Sequence, residues 1–349
     1  MKISHRTAAI AAIVSSVALV LGVVGPASAA PPVPSLNMDC AKVASATNPV
    51  AAFTTPVTQR YAAVSELAAN PILPSAEIIR TAGGLACEWG NGVALDGGST
   101  SAPVGVRVEY MPFTASGYWR WASGAWITTP ENFFCTTSNY CQLMTSEGGD
   151  FLYVGVQNAR NEVVAQSLAR RMSAAIQLGD TTPFVAPPYA AELDHTCEQI
   201  VRPVVWRAAV GAAPALRTYP VPPQWSPVRN AMLVARAPAC AYADVTSVRG
   251  AGLLSTMPGG RWSFLILRPL LTTPGPLTAI AVPEMRAGDT AFTRCDLAHT
   301  HCILDALIAT HWVQVNLLPL SDGGEVIRTD RLAALRPILS EIALQIYTP

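Results

Sequence analysis

The chain has 349 residues, 23 basic and 23 acidic side chains, and a formal net charge of zero. Half of the residues are apolar and 13% are charged, which is enough to fill a sizeable core. That balance offers nothing to attract nucleic acid or an anionic membrane surface.

The first 29 residues have the make-up of a signal peptide. Lys2 and Arg6 give a basic start, and Ala8 to Val24 is apolar apart from Ser15, Ser16 and Gly22. Gly25-Pro26 then breaks the helix, and Ala27-Ser28-Ala29 supplies the small residues of a cleavage site. No later run is apolar and long enough to span a bilayer. Cys40, preceded by Leu36-Asn37-Met38-Asp39, is a poor match to a lipid-anchor site. The expected product is a secreted monomer, extracellular or loosely cell-wall associated, with no membrane span and no cofactor.

Beyond an N-terminal linker, 30–38, the cysteines fall into two sets: Cys40, Cys87, Cys135 and Cys141, then Cys197, Cys240, Cys295 and Cys302. Subtracting position from position gives offsets of 157, 153, 160 and 161. A nearly constant offset is the mark of an internal repeat. Flanking residues agree: Ala86-Cys87-Glu88-Trp89 aligns with Ala239-Cys240-Ala241-Tyr242. We therefore expect repeat domain 1 over 39–180, a Pro-rich linker over 181–190, and repeat domain 2 over 191–349.

In each repeat the first cysteine opens a short helix and the second lies on a strand. Val104 to Tyr110 alternates as a half-buried strand does, and Trp262 to Leu267 is taken as its counterpart. Tyr153 to Val156 and Trp312 to Val315 follow the close cysteine pairs as strands. Glu162-Val163-Val164 and Glu325-Val326-Ile327 are read as helix starts. In the last helices, Leu168, Met172 and Ile176 share one face, as do Leu335, Leu339 and Ile342. Pro337 is expected to kink the second of these or start a new segment. The expected fold is α+β: two similar domains, each an antiparallel sheet with helices packed on one face.

Eight cysteines in an oxidising compartment allow 105 connectivities. Closing each repeat on itself with one shared pattern leaves three. Cys135–Cys141 and Cys295–Cys302 close short loops, which leaves Cys40–Cys87 and Cys197–Cys240. Neither repeat has the paired spacing of a zinc site, and no Cys-x-x-Cys is present.

This layout resembles small exported actinobacterial domains, many of them lipoproteins of unknown function: a Cys-opened helix, a Cys-x-Trp strand (Cys87-Glu88-Trp89), a close cysteine pair, a strand and a final helix. It is similar to the two-disulfide extracellular sensor domain of mycobacterial PknH-type receptor kinases. The resemblance implies an α/β sandwich with a cleft and a binding or sensing role. The chain departs from it in lacking an anchor cysteine and a kinase or transmembrane segment, and in having Tyr242 where Trp is expected.

Motifs for chemistry are sparse. No Gly-x-Ser-x-Gly, phosphate loop or zinc-protease helix occurs. His299 and His301, one residue apart between Cys295 and Cys302, are the candidate metal ligands, set against an exposed turn that happens to hold two histidines. Trp119, Trp121 and Trp126 form the densest aromatic segment. They are either core residues, the favoured reading, or a platform for sugar rings. Glu66, Glu77, Glu88 and Glu109 are scattered along the sequence and point to no catalytic pair. The expected function is a non-enzymatic extracellular binding or sensing protein whose envelope ligand is a glycan, lipid or protein. The alternatives are a cell-envelope-acting enzyme with a site between the domains, or a structural envelope component.

Overall fold

The computed structural model describes residues 35–69, 73–93, 95, 102–111, 131–136, 139–145, 150–180, 196–210, 216–220, 231–232, 234–244, 250–317, 320–322, 325–327 and 330–348. The expected signal peptide and the 181–190 linker lie outside them. Among the described residues the fold is α+β, with two large antiparallel sheets, a two-stranded antiparallel ribbon, eight α-helices and four disulfides, two in each half of the chain.

The first half contains α1 (Cys40–Thr47), β1 (Thr58–Arg60), α2 (Ala62–Ala69), α3 (Ser75–Thr81), β2 (Leu85–Gly90), β3 (Gly105–Met111), β4 (Glu131–Cys135), β5 (Tyr140–Thr145), β6 (Phe151–Gln157) and α4 (Glu162–Gln177). Its sheet runs β1-β2-β3-β6-β5-β4. The second half contains α5 (Cys197–Ile200), α6 (Pro203–Val210), β7 (Leu216–Pro220), β8 (Ala239–Asp244), β9 (Gly250–Met257), α7 (Arg261–Leu267), β10 (Thr278–Ile280), β11 (Thr290–Cys295), β12 (Cys302–Ile308), β13 (His311–Leu317), β14 (Leu320–Asp322), β15 (Glu325–Ile327) and α8 (Arg331–Tyr347). Its main sheet runs β10-β11-β12-β13-β9-β8-β7. Read from β7 to β11, this repeats the first sheet's described strands one for one, and β10 lies beyond β11 at one edge.

Polar side chains start the helices. Asp39 accepts the Lys42 N–H ahead of α1, and Asn161 accepts the Val164 N–H ahead of α4. Thr196 and Gln199 form a capping box at α5, and Asp330 accepts the N–H groups of Leu332 and Ala333 at α8. Leu168, Met172 and Ile176 of α4 pack with Val43 of α1 on Cys87, Trp89, Val106, Val108 and Val154. In the second half Leu335, Leu339 and Ile342 of α8 pack with Ile200 and Trp206 on Cys240, Tyr242, Leu254, Val313 and Val315. The disulfides Cys40–Cys87 and Cys197–Cys240 tie the first helix of each half to this face, while Cys135–Cys141 and Cys295–Cys302 clip hairpins. Trp89 is buried outright in the first half. Where the second half has Tyr242, Trp206 stacks on it at 3.8 Å between ring centroids and restores the aromatic volume.

The opposite faces meet. α2 and α3 cover one end of the first sheet, and Ala63, Leu67, Ile79, Ala86, Met111 and Phe151 merge with Met257, Phe264, Phe292, Leu307 and Trp312 of the second half in one apolar cluster. This is the seam between the halves, to which α7 brings Phe264 and Leu267.

Four local expectations change. Trp262–Leu267 is helix α7 and not a strand: Trp262, Phe264 and Leu267 are buried while Leu265 and Ile266 are exposed, a helical spacing hidden in an unbroken apolar run. The counterpart of β3 is β9. Glu325–Ile327 is strand β15, paired with β14, and the helix starts only at Arg331 after the Asp330 cap. Of the two outcomes expected at Pro337, a new segment does not occur: α8 runs from Arg331 to Tyr347 as one helix. Residues 35–37, expected in the linker, join the first half: Leu36 is buried, and the N–H groups of Ser35 and Asn37 bond to Gly83 O and Asp180 O.

Candidate functional site

The alternation of β2 and β3 sends Cys87, Trp89, Val106 and Val108 to the helix face and Glu88, Arg107 and Glu109 to the other. The register lines up Arg60, Glu88, Arg107, Gly155, Gln142 and Phe134 across the sheet. α2 lies over this row and brings Ser65 and Glu66. Arg107 bonds to Glu66, donates from Nε to Glu109 Oε1 at 2.7 Å, and reaches Ser75 Oγ at 2.9 Å. Glu66 also accepts from Ser75 Oγ at 2.6 Å and from the Ala76 N–H at 3.2 Å, at the start of α3. Ser65 Oγ donates to Glu88 at 2.5 Å. All four charged groups are buried.

Gly155 makes room for the rest of the cluster. A Cβ there would lie 2.6 Å from the Tyr153 hydroxyl and 3.1 Å from that of Tyr140, and these two hydroxyls bond to each other over the glycine. Burial pushes the Tyr153 phenol above its ordinary range, reinforced by Tyr140 and Glu109. The cluster therefore offers fixed carboxylate acceptors and phenol groups. Arg107 is held by two carboxylates, which leaves it poorly placed to clamp an anionic substrate.

Glu77 is a separate site at the seam. Its fully buried carboxylate on α3 takes Arg80 Nη1 at 2.8 Å and faces Tyr61 and Ser263, the last from α7 of the other half. Burial raises its pKa, opposed by Arg80.

His299 and His301 lie on the turn between Cys295 and Cys302, not on a strand, and His299 has φ 52°. His299 Nδ1 is 3.6 Å from Asp330, and His301 Nε2 pairs with Asn316 Oδ1 at 2.9 Å. Among the described residues no three His, Cys, Asp or Glu side chains are grouped to hold a metal. Trp119, Trp121 and Trp126 lie outside the described residues.

Sequence reasoning missed the gathering of Glu66, Glu88 and Glu109 around Arg107. The signal available was the two-residue alternation, which sets Glu88, Arg107 and Glu109 on one face. Nothing local shows that α2 will bury that face. Comparison with protein-family models, curated proteins and solved structures finds no match to this chain. Among the described residues no helix is long and apolar enough to cross a membrane.

Proposed function

We propose that the protein is a secreted, non-enzymatic binding or sensing protein of the actinobacterial envelope, built from two copies of one domain. The observation that carries this reading is an asymmetry on a shared frame. Both halves have the same strand order and the same two disulfide positions, yet the first half gathers Glu66, Glu88 and Glu109 around Arg107 on the β2–β3 side of its sheet, where the second half has Ala241 and Leu253 and keeps its buried ion pair, Arg294–Asp305, on the β11–β12 side. β3, which carries Arg107 and Glu109, leads directly into the segment holding Trp119, Trp121 and Trp126. Acidic acceptors, phenols and tryptophans together suit the hydroxyls and ring faces of a glycan. The likeness to two-disulfide sensor domains points the same way. An enzyme with its site between the halves would have to work from Glu77, Arg80, Tyr61 and Ser263, the polar group the described residues place in an otherwise apolar seam.

The test is to isolate the native protein from the envelope, identify copurifying material by mass spectrometry, and measure binding to cell-wall polysaccharide. Retention of polysaccharide by the protein, lost in Trp119→Ala or Trp126→Ala with the melting temperature nearly unchanged, is the expected result. No retention, or equal retention by all variants, rejects the glycan reading.

A further inference from the structure

The second half holds a buried cation with no ion-pair partner among the described residues. Arg331, the first residue of α8, is 0% exposed. None of its three guanidinium nitrogens has an acceptor among the described residues. Burial is what lowers its pKa. A guanidinium stays charged in proteins, and leaving one buried without an acceptor is among the most unfavourable arrangements a fold can contain. The frame does not require it: the matching helix in the first half starts at Asn161-Glu162, and both residues are exposed.

Its place adds a second source of positive potential. α8 has 17 residues, and Arg331, its first, sits at the positive end of the helix dipole. The disulfide-closed turn 296–301 sits against this end, and the Arg331 N–H bonds to His299 O at 3.0 Å. A pocket of about 280 Å³ lies beside the first turn of α8, lined by Thr278, Ile280, Thr293, Asp330, Leu332 and Arg336, with β10 as one wall; Arg331 itself is not in its lining.

We propose that Arg331 is the receptor for a compact oxyanion, a carboxylate or phosphate group, which enters beside α8 and pairs with the guanidinium fork. The planar five-donor group fits two oxygens of such an anion side by side. This site is independent of the glycan reading for the first half.

The probes are sodium acetate and inorganic phosphate, compared with chloride at equal ionic strength, on the full mature chain. At saturation an oxyanion should raise the melting temperature by about 2–4 °C. Arg331→Met should abolish that rise and melt higher than the wild type in chloride, while Arg336→Met should keep it. Phosphorus NMR of phosphate should show line broadening with wild-type protein and with Arg331→Lys, which decides the matter even if Arg331→Met fails to fold. Acetate and phosphate acting alike marks general oxyanion chemistry; a response to phosphate alone narrows the ligand to phosphate esters. Wild-type protein that neither broadens phosphate nor responds to either anion overturns the proposal. So does a response lost in Arg336→Met and kept in Arg331→Met.

Discussion

The two halves place the same row of backbone in the same sheet and fill it differently. In the first half the row reads Glu88, Arg107, Gly155, Gln142 and Phe134; in the second it reads Ala241, Leu253, Asn316, Ile303 and Arg294. The charge has moved from the β2–β3 side to the β11–β12 side. There Arg294 donates to Asp305 at 2.8 Å, and Asp305 also accepts from Trp312 Nε1 at 3.1 Å and Gln314 Nε2 at 2.8 Å. The helix faces, in contrast, are nearly interchangeable. A disulfide and a hydrophobic helix face fix the frame, and the opposite face is free to diverge as long as each buried charge keeps its partners.

Disulfide removal should have the largest effect and tests how alike the frames are. The two long bridges span 47 and 43 residues, so their chain-entropy contributions differ by only about 0.1 kcal/mol. Replacing either pair by alanine should cost about 4 kcal/mol. Because the seam joins the halves, thermal unfolding should stay a single transition in calorimetry. Two separated transitions in either variant would break the comparison by showing that the halves unfold independently.

Next come the two arginines. Arg107→Met strands the buried carboxylates of Glu66 and Glu109 and should cost about 3 kcal/mol. Arg294→Met leaves Asp305 with its Trp312 and Gln314 donors and should cost about 1–2 kcal/mol. Urea denaturation of both variants reads the difference, and equal losses would mean that the two clusters are energetically alike.

The smallest effect belongs to Glu77. Its pKa is raised in the folded state, so the stability linked to its protonated form is complete below the ordinary carboxylate range and is lost as the pH rises through the folded value. Glu77→Gln should therefore be more stable than the wild type at pH 8 and no different at pH 3. Melting temperatures across that range check this, and a variant less stable at pH 8 would show that the Arg80 pair outweighs burial.

Much of the frame was legible in the sequence because cysteine spacing and period-2 or period-3.6 patterns are local. The helix openings at Cys40 and Cys197, the strands around Cys87 and Cys240, and the final helices follow from such patterns. Trp262–Leu267 did not, because an unbroken apolar run carries no period, and its helical form shows only once Trp262, Phe264 and Leu267 are seen buried with Leu265 and Ile266 exposed. The ionised cluster was half legible: alternation groups Glu88, Arg107 and Glu109, but Glu66 arrives from a helix more than 20 residues upstream. Arg331 was invisible, since nothing in its neighbours signals that an arginine at a helix start will be enclosed.

The seam also sets an order of events during synthesis. A ribosome delivers the first half complete by residue 180, yet Phe264 and Trp312, which close its α2–α3 side, come later in the chain. At roughly 5–20 residues per second the gap is on the order of ten seconds. Throughout that interval the nascent first half presents a greasy, unfinished flank, long enough for a holdase to bind it or for another unfinished chain to stick to it.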